Sequence, residues 1–165
     1  FCLSSWLGDV YKRQCQLSSA VTAGTNETFL PFDEERYVFI APMSLTVSKE
    51  KQITWAEVAQ IPLCLLTQNM KNRQLIDRHF LELEISPSIV TEASDFTAVL
   101  AQVAAGNAAT IAPVSVAETF LDLKSTKQLD LIRPILTHSV GLSIKDQSPV
   151  LPMIQALRKA VKSAL

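Results

Sequence analysis

No apolar run in this 165-residue chain reaches the roughly 18 residues needed to cross a bilayer as a helix. There is no excess of positive charge. The formal net charge is -1, which excludes a grip on nucleic acid through phosphate neutralisation. The three cysteines, Cys2, Cys15 and Cys64, form neither a metal-binding spacing nor an even disulfide framework, which fits a reducing cytoplasm. GxSxG, P-loop, GxGxxG and paired-carboxylate patterns are all missing, so no catalytic residue, metal ligand or cofactor is expected. An initiating Met is missing too. The opening FCLSSWLGDVYKRQ lacks the basic start and continuous apolar core of a secretory signal. What is present is 48% hydrophobic and 19% charged residues, enough for a packed core in one domain or two small lobes.

The segment CQLSSAVTAGTNET is rich in Ser, Thr, Gly and Asn and reads as loop. Arg36 to Ala41 is an aromatic and β-branched run stopped by Pro42, hence a strand. Thr54 and Glu57 have capping-box spacing and open a short helix that Pro62 ends. Pro62 to Leu66 is a short, wholly apolar strand, the pattern of a strand covered on both faces. A helix follows, capped by Thr67 or Asn69 and running to about Glu84, with Met70, Ile76, Phe80 and Leu83 on one face. Ile89 to Thr91 is the next strand. Ser94 caps a helix whose Phe96, Val99, Leu100, Val103 and Ala104 keep helical spacing, and Gly106 ends it. Ala109 to Ala112 is a strand, and Ser115 with Glu118 opens another helix to about Leu123. Leu129 to Ile135 and Ser139 to Ile144 are further strands. A last helix begins at Ser148-Pro149, with Val150, Ile154, Leu157 and Val161 in one stripe and Arg158, Lys159 and Lys162 near its negative end. Strand and helix therefore alternate over residues 62–123, the signature of a parallel α/β sheet with right-handed crossovers.

In such a sheet the strand-to-helix turns share the carboxyl edge, where ligands bind. Three turns qualify: Thr67-Gln68-Asn69, Ala93-Ser94-Asp95 and Pro113-Val114-Ser115. Each leads into a helix N-terminus, whose free N–H groups favour an anion. Each polar side chain there is also an ordinary N-cap, stabilising its helix by about 1 kcal/mol, so one turn alone carries little weight; their convergence carries more. Asp95 would repel an anion unless it only caps its helix or pairs with a base such as Arg73. His79, beside Asp77 and Arg78, reads as a solvated face. His138 reads as an edge histidine at the start of a strand. Cys64 reads as an inert buried hydrophobe, and neither Trp6 nor Trp55 needs a special role.

ERYVFIAP, ITWAEVAQIPLCLLTQNMKNRQLIDRHFLE, EASDFTAVLAQVAAGNAATIAPVSVAE, HSVGLSI and PVLPMIQALRKAV, in this order and spacing, resemble the effector-binding region of LysR-type transcriptional regulators from about Phe29 to the C-terminus. VLAQVAAGNAATIAP is the most telling stretch: a helix ending in V-x-x-G, then a strand ending in Pro. The resemblance implies an α/β, type 2 periplasmic-binding-protein-like two-lobed fold, with the second lobe complete and the first mostly missing. Residues 15–41 would be a remnant of the first lobe with the first crossing strand. Residues 42–137 would be the second lobe. Residues 138–165 would hold the second crossing strand and a helix returning to the first lobe. It also implies a small-molecule effector held at Thr67, Gln68, Asn69, Ser94, Asp95 and Pro113, and the helix N-termini at these turns lead us to expect an anion. DNA would be reached only through an N-terminal helix-turn-helix not present in this sequence, and the full-length protein would be a homo-oligomer.

A solute-binding protein of the same fold would need an export signal, which residues 1–14 do not supply. An enzyme on this fold would need a catalytic carboxylate or a phosphate loop. The LGDVYKRQ portion looks like translated adapter sequence, so residues 1–14 are expected to lie outside the fold. With little first lobe to cover it, the stripe of the last helix is expected to be exposed and to promote self-association.

Overall fold

The computed structural model describes residues 15–19, 27–46, 51–120, 125–145 and 152–164. The opening residues 1–14, the Ser148-Pro149 helix start and the helix end near Leu123 all lie outside this set. By contacts, the chain divides into two units, residues 36–137 and the remainder.

The unit spanning residues 36–137 is built on a sheet with helices on both faces. Strand β2 (Glu27–Pro42) enters it at Arg36 and runs antiparallel to both β6 (Thr110–Pro113) and β7 (Thr126–Ile132). The short β3 (Gln52–Thr54) lies parallel to β7. On the other side β4 (Leu63–Leu66) pairs in parallel with β5 (Ile89–Ala93). A parallel bridge from Leu63 to Ala109, with Cys64 N–H donating to the Ala109 carbonyl at 2.8 Å, ties β4 to the segment entering β6. The carboxyl ends of β4, β5 and β6 therefore share one edge.

Alternation along these strands decides what each face buries. Tyr37, Phe39, Leu65, Ile111, Leu129 and Leu131 pack with Trp55 and Val58 of α1 (Trp55–Ala59) and with Ile76 and Phe80 of α2 (Lys71–Glu82). On the opposite face, Val38, Ile40 and Ala112 meet Leu100 and Val103 of α3 (Phe96–Ala104) and Ala117 of α4 (Val114–Phe120). Cys64 and Leu66 meet Val99. This double cover is why PLCLL is apolar without alternation.

The capping box at Thr54 and Glu57 forms as its spacing predicts. Helix α3 closes on Gly106 at φ +83, with Gly106 and Asn107 N–H groups returning to the Val103 and Gln102 carbonyls. The same closure ends α2, but there Glu84 takes the left-handed position at φ 57, with Glu84 N–H bonded to Leu81 and Ile85 N–H to Phe80. Three expected caps differ. Helix α2 has Met70 as N-cap with no side-chain bond, α3 is capped by Asp95 rather than Ser94, and α4 starts at Val114, which puts Ser115 inside it. Strand β7 begins and ends earlier than expected, stopping before Arg133, which has φ 58.

In the other unit, β1 (Cys15–Ser19), in a segment that reads as loop, pairs antiparallel with β8 (Thr137–Lys145). Strand β8 lies between β1 and the first half of β2. Leu142 and Ile144 pack with Leu30, Phe32 and Ile154 of α5 (Pro152–Ala164). Ile154 is thus buried, not part of an exposed stripe as expected, while Met153 and Leu157 are exposed. Side chains of Val150 and Val161 fall outside the described residues.

Candidate functional site at the carboxyl edge of the parallel strands

The β4–β5 ladder ends with Thr67 N–H donating to the Ala93 carbonyl at 3.0 Å, which sets the two following turns side by side. In the first, Thr67 Oγ1 and Asn69 Oδ1 are 2.7 Å apart, and the Gln68 carbonyl accepts from Gln74 Nε2 at 3.2 Å. Gln68 and Asn69 are exposed and Thr67 is half-buried. In the second, Ser94 and Asp95 are exposed, and Asp95 Oδ1 accepts from Ala98 N–H at 2.9 Å. Ser94 Oγ lies 3.4 Å from Asp95 Oδ2. Pro113, buried, ends β6 opposite Tyr37. It follows Ala109 by the same interval that Thr67 follows Leu63, so the parallel register brings it level with Thr67.

Of the alternatives open to Asp95, capping is the one realised. Arg73 pairs elsewhere: its Nε is 2.7 Å from Asp77 Oδ1, and its Nη1 lies 2.7 Å from Glu92 Oε1 and 2.8 Å from the Leu66 carbonyl. The two carboxylates hold the Arg73 pKa up against the opposing effect of burial, the largest single influence on it. Tyr37, expected only as part of a strand, has a hydroxyl that donates to Asn72 Oδ1 at 3.0 Å. That bond reaches the first turn of α2 from the strand opposite Pro113. Spacing carries a signal for both: Arg73 precedes Ile76 by one helical turn, which places it on the buried face, and Tyr37 alternates with Phe39 toward the core.

His79 is a correction. It is buried rather than solvated, its ring centroid 4.3 Å from that of Trp55. Its place in the face of Ile76, Phe80 and Leu83 outweighs the charge of Asp77 and Arg78. His138, half-buried in β8, has Nε2 4.0 Å from Glu35 Oε2. Burial lowers both histidine pKa values, and Glu82 and Glu35 oppose this only in part. A base whose folded-state pKa is depressed stabilises the fold above its unfolded value of about 6.5 and loses that contribution as pH falls below it. We therefore expect stability to decline from pH 7.5 to pH 5, by at most about 1.4 kcal/mol per pH unit for each histidine. Thermal unfolding of the chain and of His79→Phe across that range checks this; the variant should show the shallower decline, and equal slopes would refute a contribution from His79.

Burial raises the thiol pKa of Cys64, as suits a small hydrophobe. Among the described residues no cluster of three or more His, Cys, Asp or Glu side chains could hold a metal, and no helix is long and apolar enough to cross a membrane. A cleft of about 390 Å³ lined by Met43, Lys51, Thr126, Lys127, Gln128 and Asp130 lies elsewhere. It sits beside the start of β7, level with the Pro42 end of β2, whereas the turns lie toward the Tyr37 end.

The family model described as LysR substrate binding domain matches residues 19–165. Among solved structures, the effector-binding domain of QuiR in complex with shikimate is 21% identical with a TM-score of 0.79, over 95% of this chain and 75% of that one. The regulatory domain of CcmR from Synechocystis PCC6803 in complex with 2-PG is 10% identical with a TM-score of 0.82, over 98% of this chain and 77% of that one. Full-length CbnR complexed with its target DNA is 16% identical with a TM-score of 0.79; the match covers 99% of this chain and 56% of that one. No sequence among the curated proteins matches.

Proposed function

The chain belongs to the LysR substrate-binding domain family, with the type 2 periplasmic-binding-protein-like fold and the ligand-sensing role in transcription regulation that go with it; from that premise we propose that the edge formed by Thr67, Gln68, Asn69, Ser94, Asp95 and Pro113 contributes the effector site. One observation carries this reading. The last ladder bond, from Thr67 to Ala93, places two turns with exposed polar side chains against each other where two helices begin.

The same geometry supports a small anion, such as a hydroxylated carboxylate, as the effector. The first turn of α2 has no side-chain cap, so its N–H groups are available to an acceptor. The charge of Asp95 is turned to the α3 N-terminus, which reduces its repulsion of an anion. Shikimate in the QuiR domain is a carboxylate of this kind. The solute-binding-protein alternative is not favoured, since the matching family and the neighbours are regulators. The domain acts without catalysis in this reading. Effector binding shifts a conformational equilibrium by its difference in affinity between states, and a DNA-binding segment of a homo-oligomeric regulator reads out the shift.

In a full-length regulator carrying this domain, Thr67→Ala and Ser94→Ala should each weaken the effector response by about tenfold or more, the worth of a hydrogen bond to a charged ligand. DNA affinity without effector should not change. Reporter induction and gel-shift titration measure the two quantities. An unchanged induction curve in both variants would remove this edge as the site.

A further inference from the structure

We propose that Arg73 is the positioning residue of this edge, locking the turn after β4 to the turn after β5 so that they move as one; the inference rests on the effector reading above. Arg73 is 3% exposed, and a charge so deeply buried is a poor way to gain stability, because desolvation offsets much of its attraction to Asp77 and Glu92. The geometry gives it a different use. Its Nη1 bridges the Leu66 carbonyl at 2.8 Å and Glu92 Oε1 at 2.7 Å. Leu66 is the last residue of β4, immediately before Thr67. Glu92 stands opposite Leu65, one residue before Ala93 and the Ser94 turn.

Backbone pairing between the strands ends at the Thr67–Ala93 bond. Beside it, the guanidinium adds a tie from the end of one strand to a side chain of the other. Asp77, one helical turn along α2, orients the plane of the guanidinium through Nε at 2.7 Å. The helix whose first turn faces the ligand is thereby fixed to both strands. A lysine retains the charge but not the planar fork that meets three acceptors at fixed angles.

Two amides report on the two turns without any ligand: Thr67 N–H, bonded to Ala93, and Ala98 N–H, bonded to Asp95. Hydrogen exchange of both, followed by NMR, should accelerate by about tenfold or more in Arg73→Lys and in Glu92→Gln. Asp77→Asn, which removes a partner within the same helix, should change Ala98 exchange less than about threefold. Val38 and Ile111, deep in the sheet, should keep their rates in every variant. Faster exchange at Thr67 with Ala98 unchanged, or equal acceleration through the sheet, would overturn the coupling. Glu92 is partly exposed, so its variant decides the matter if Arg73→Lys fails to fold. Because no effector is present, failure here leaves the Thr67 and Ser94 test standing, and failure there leaves this result standing.

Discussion

Trp55→Ala should lower the unfolding free energy by about 3–5 kcal/mol, a large part of the 5–15 kcal/mol typical of a whole domain. Trp55 is 1% exposed and is the first residue of the short helix α1. Its indole packs edge-on to His79 and to Phe80, with ring centroids at 4.3 and 5.1 Å, so its removal opens a cavity between α1 and α2. The loss is compounded because indole Nε1 donates to the Pro134 carbonyl at 2.9 Å, an acceptor left without that partner when the ring is gone. Trp55→Phe separates the two contributions. It retains an aromatic ring against His79 and Phe80 but not the donor, and should cost about 1–2 kcal/mol. Urea denaturation followed by circular dichroism measures both. A loss below about 1 kcal/mol for the alanine variant would mean that α2 collapses onto the gap at little cost.

Gly141→Val should be the most damaging single change in the unit that contains β8. A β-carbon on Gly141 would fall against the Leu30 carbonyl, with the Phe29 ring at 2.6 Å and Pro31 Cα at 2.8 Å. Two of these obstacles are backbone atoms of β2, so no rotamer change relieves the clash and the strands must separate. The glycine is required by close approach of the chain, not by an unusual φ. Overpacking costs about 1–3 kcal/mol where side chains can yield, and at this position even Gly141→Ala should reach the upper end of that range. Hydrogen exchange gives the local reading: amides of Cys15 to Ser19, which pair with β8, should lose protection first. Retained protection of β1 in Gly141→Val would show that β2 can shift aside.

The turns that form the candidate site were legible because their signals are local. An apolar run followed by Thr-Gln-Asn, and the β-branched run Ile89-Val90-Thr91 followed after Glu92 by Ala-Ser-Asp, mark strand ends and helix starts whatever surrounds them. The cap identities were not legible to the residue. Ser94 and Asp95 are both good caps, and the carboxylate wins because it reaches Ala98 N–H. Thr67 and Asn69 bond to each other instead of to α2, which leaves the first turn of that helix to Met70. The charged neighbours of His79 suggest solvent, whereas the helical period sets it beside Ile76 and Phe80 and the fold buries it.

Apolar periodicity, capping residues and strand-ending prolines established the alternation of strand and helix over residues 62–123, the parallel run of β4, β5 and β6, and the turns at their ends, but neither β1 nor β3. Those signals state which face of an element is buried and where it stops. They do not state which remote residue lies opposite. The pairing of β1 with β8, the insertion of β3 beside β7, the neutralisation of Arg73 by Glu92 and the bond from Trp55 to Pro134 all arise from residues far apart in the chain. A polar segment such as CQLSS becomes a strand because a neighbouring strand supplies its backbone partners. A helical charge such as Arg73 becomes buried because a carboxylate on strand β5 meets it. Both conditions exist only once the chain has folded.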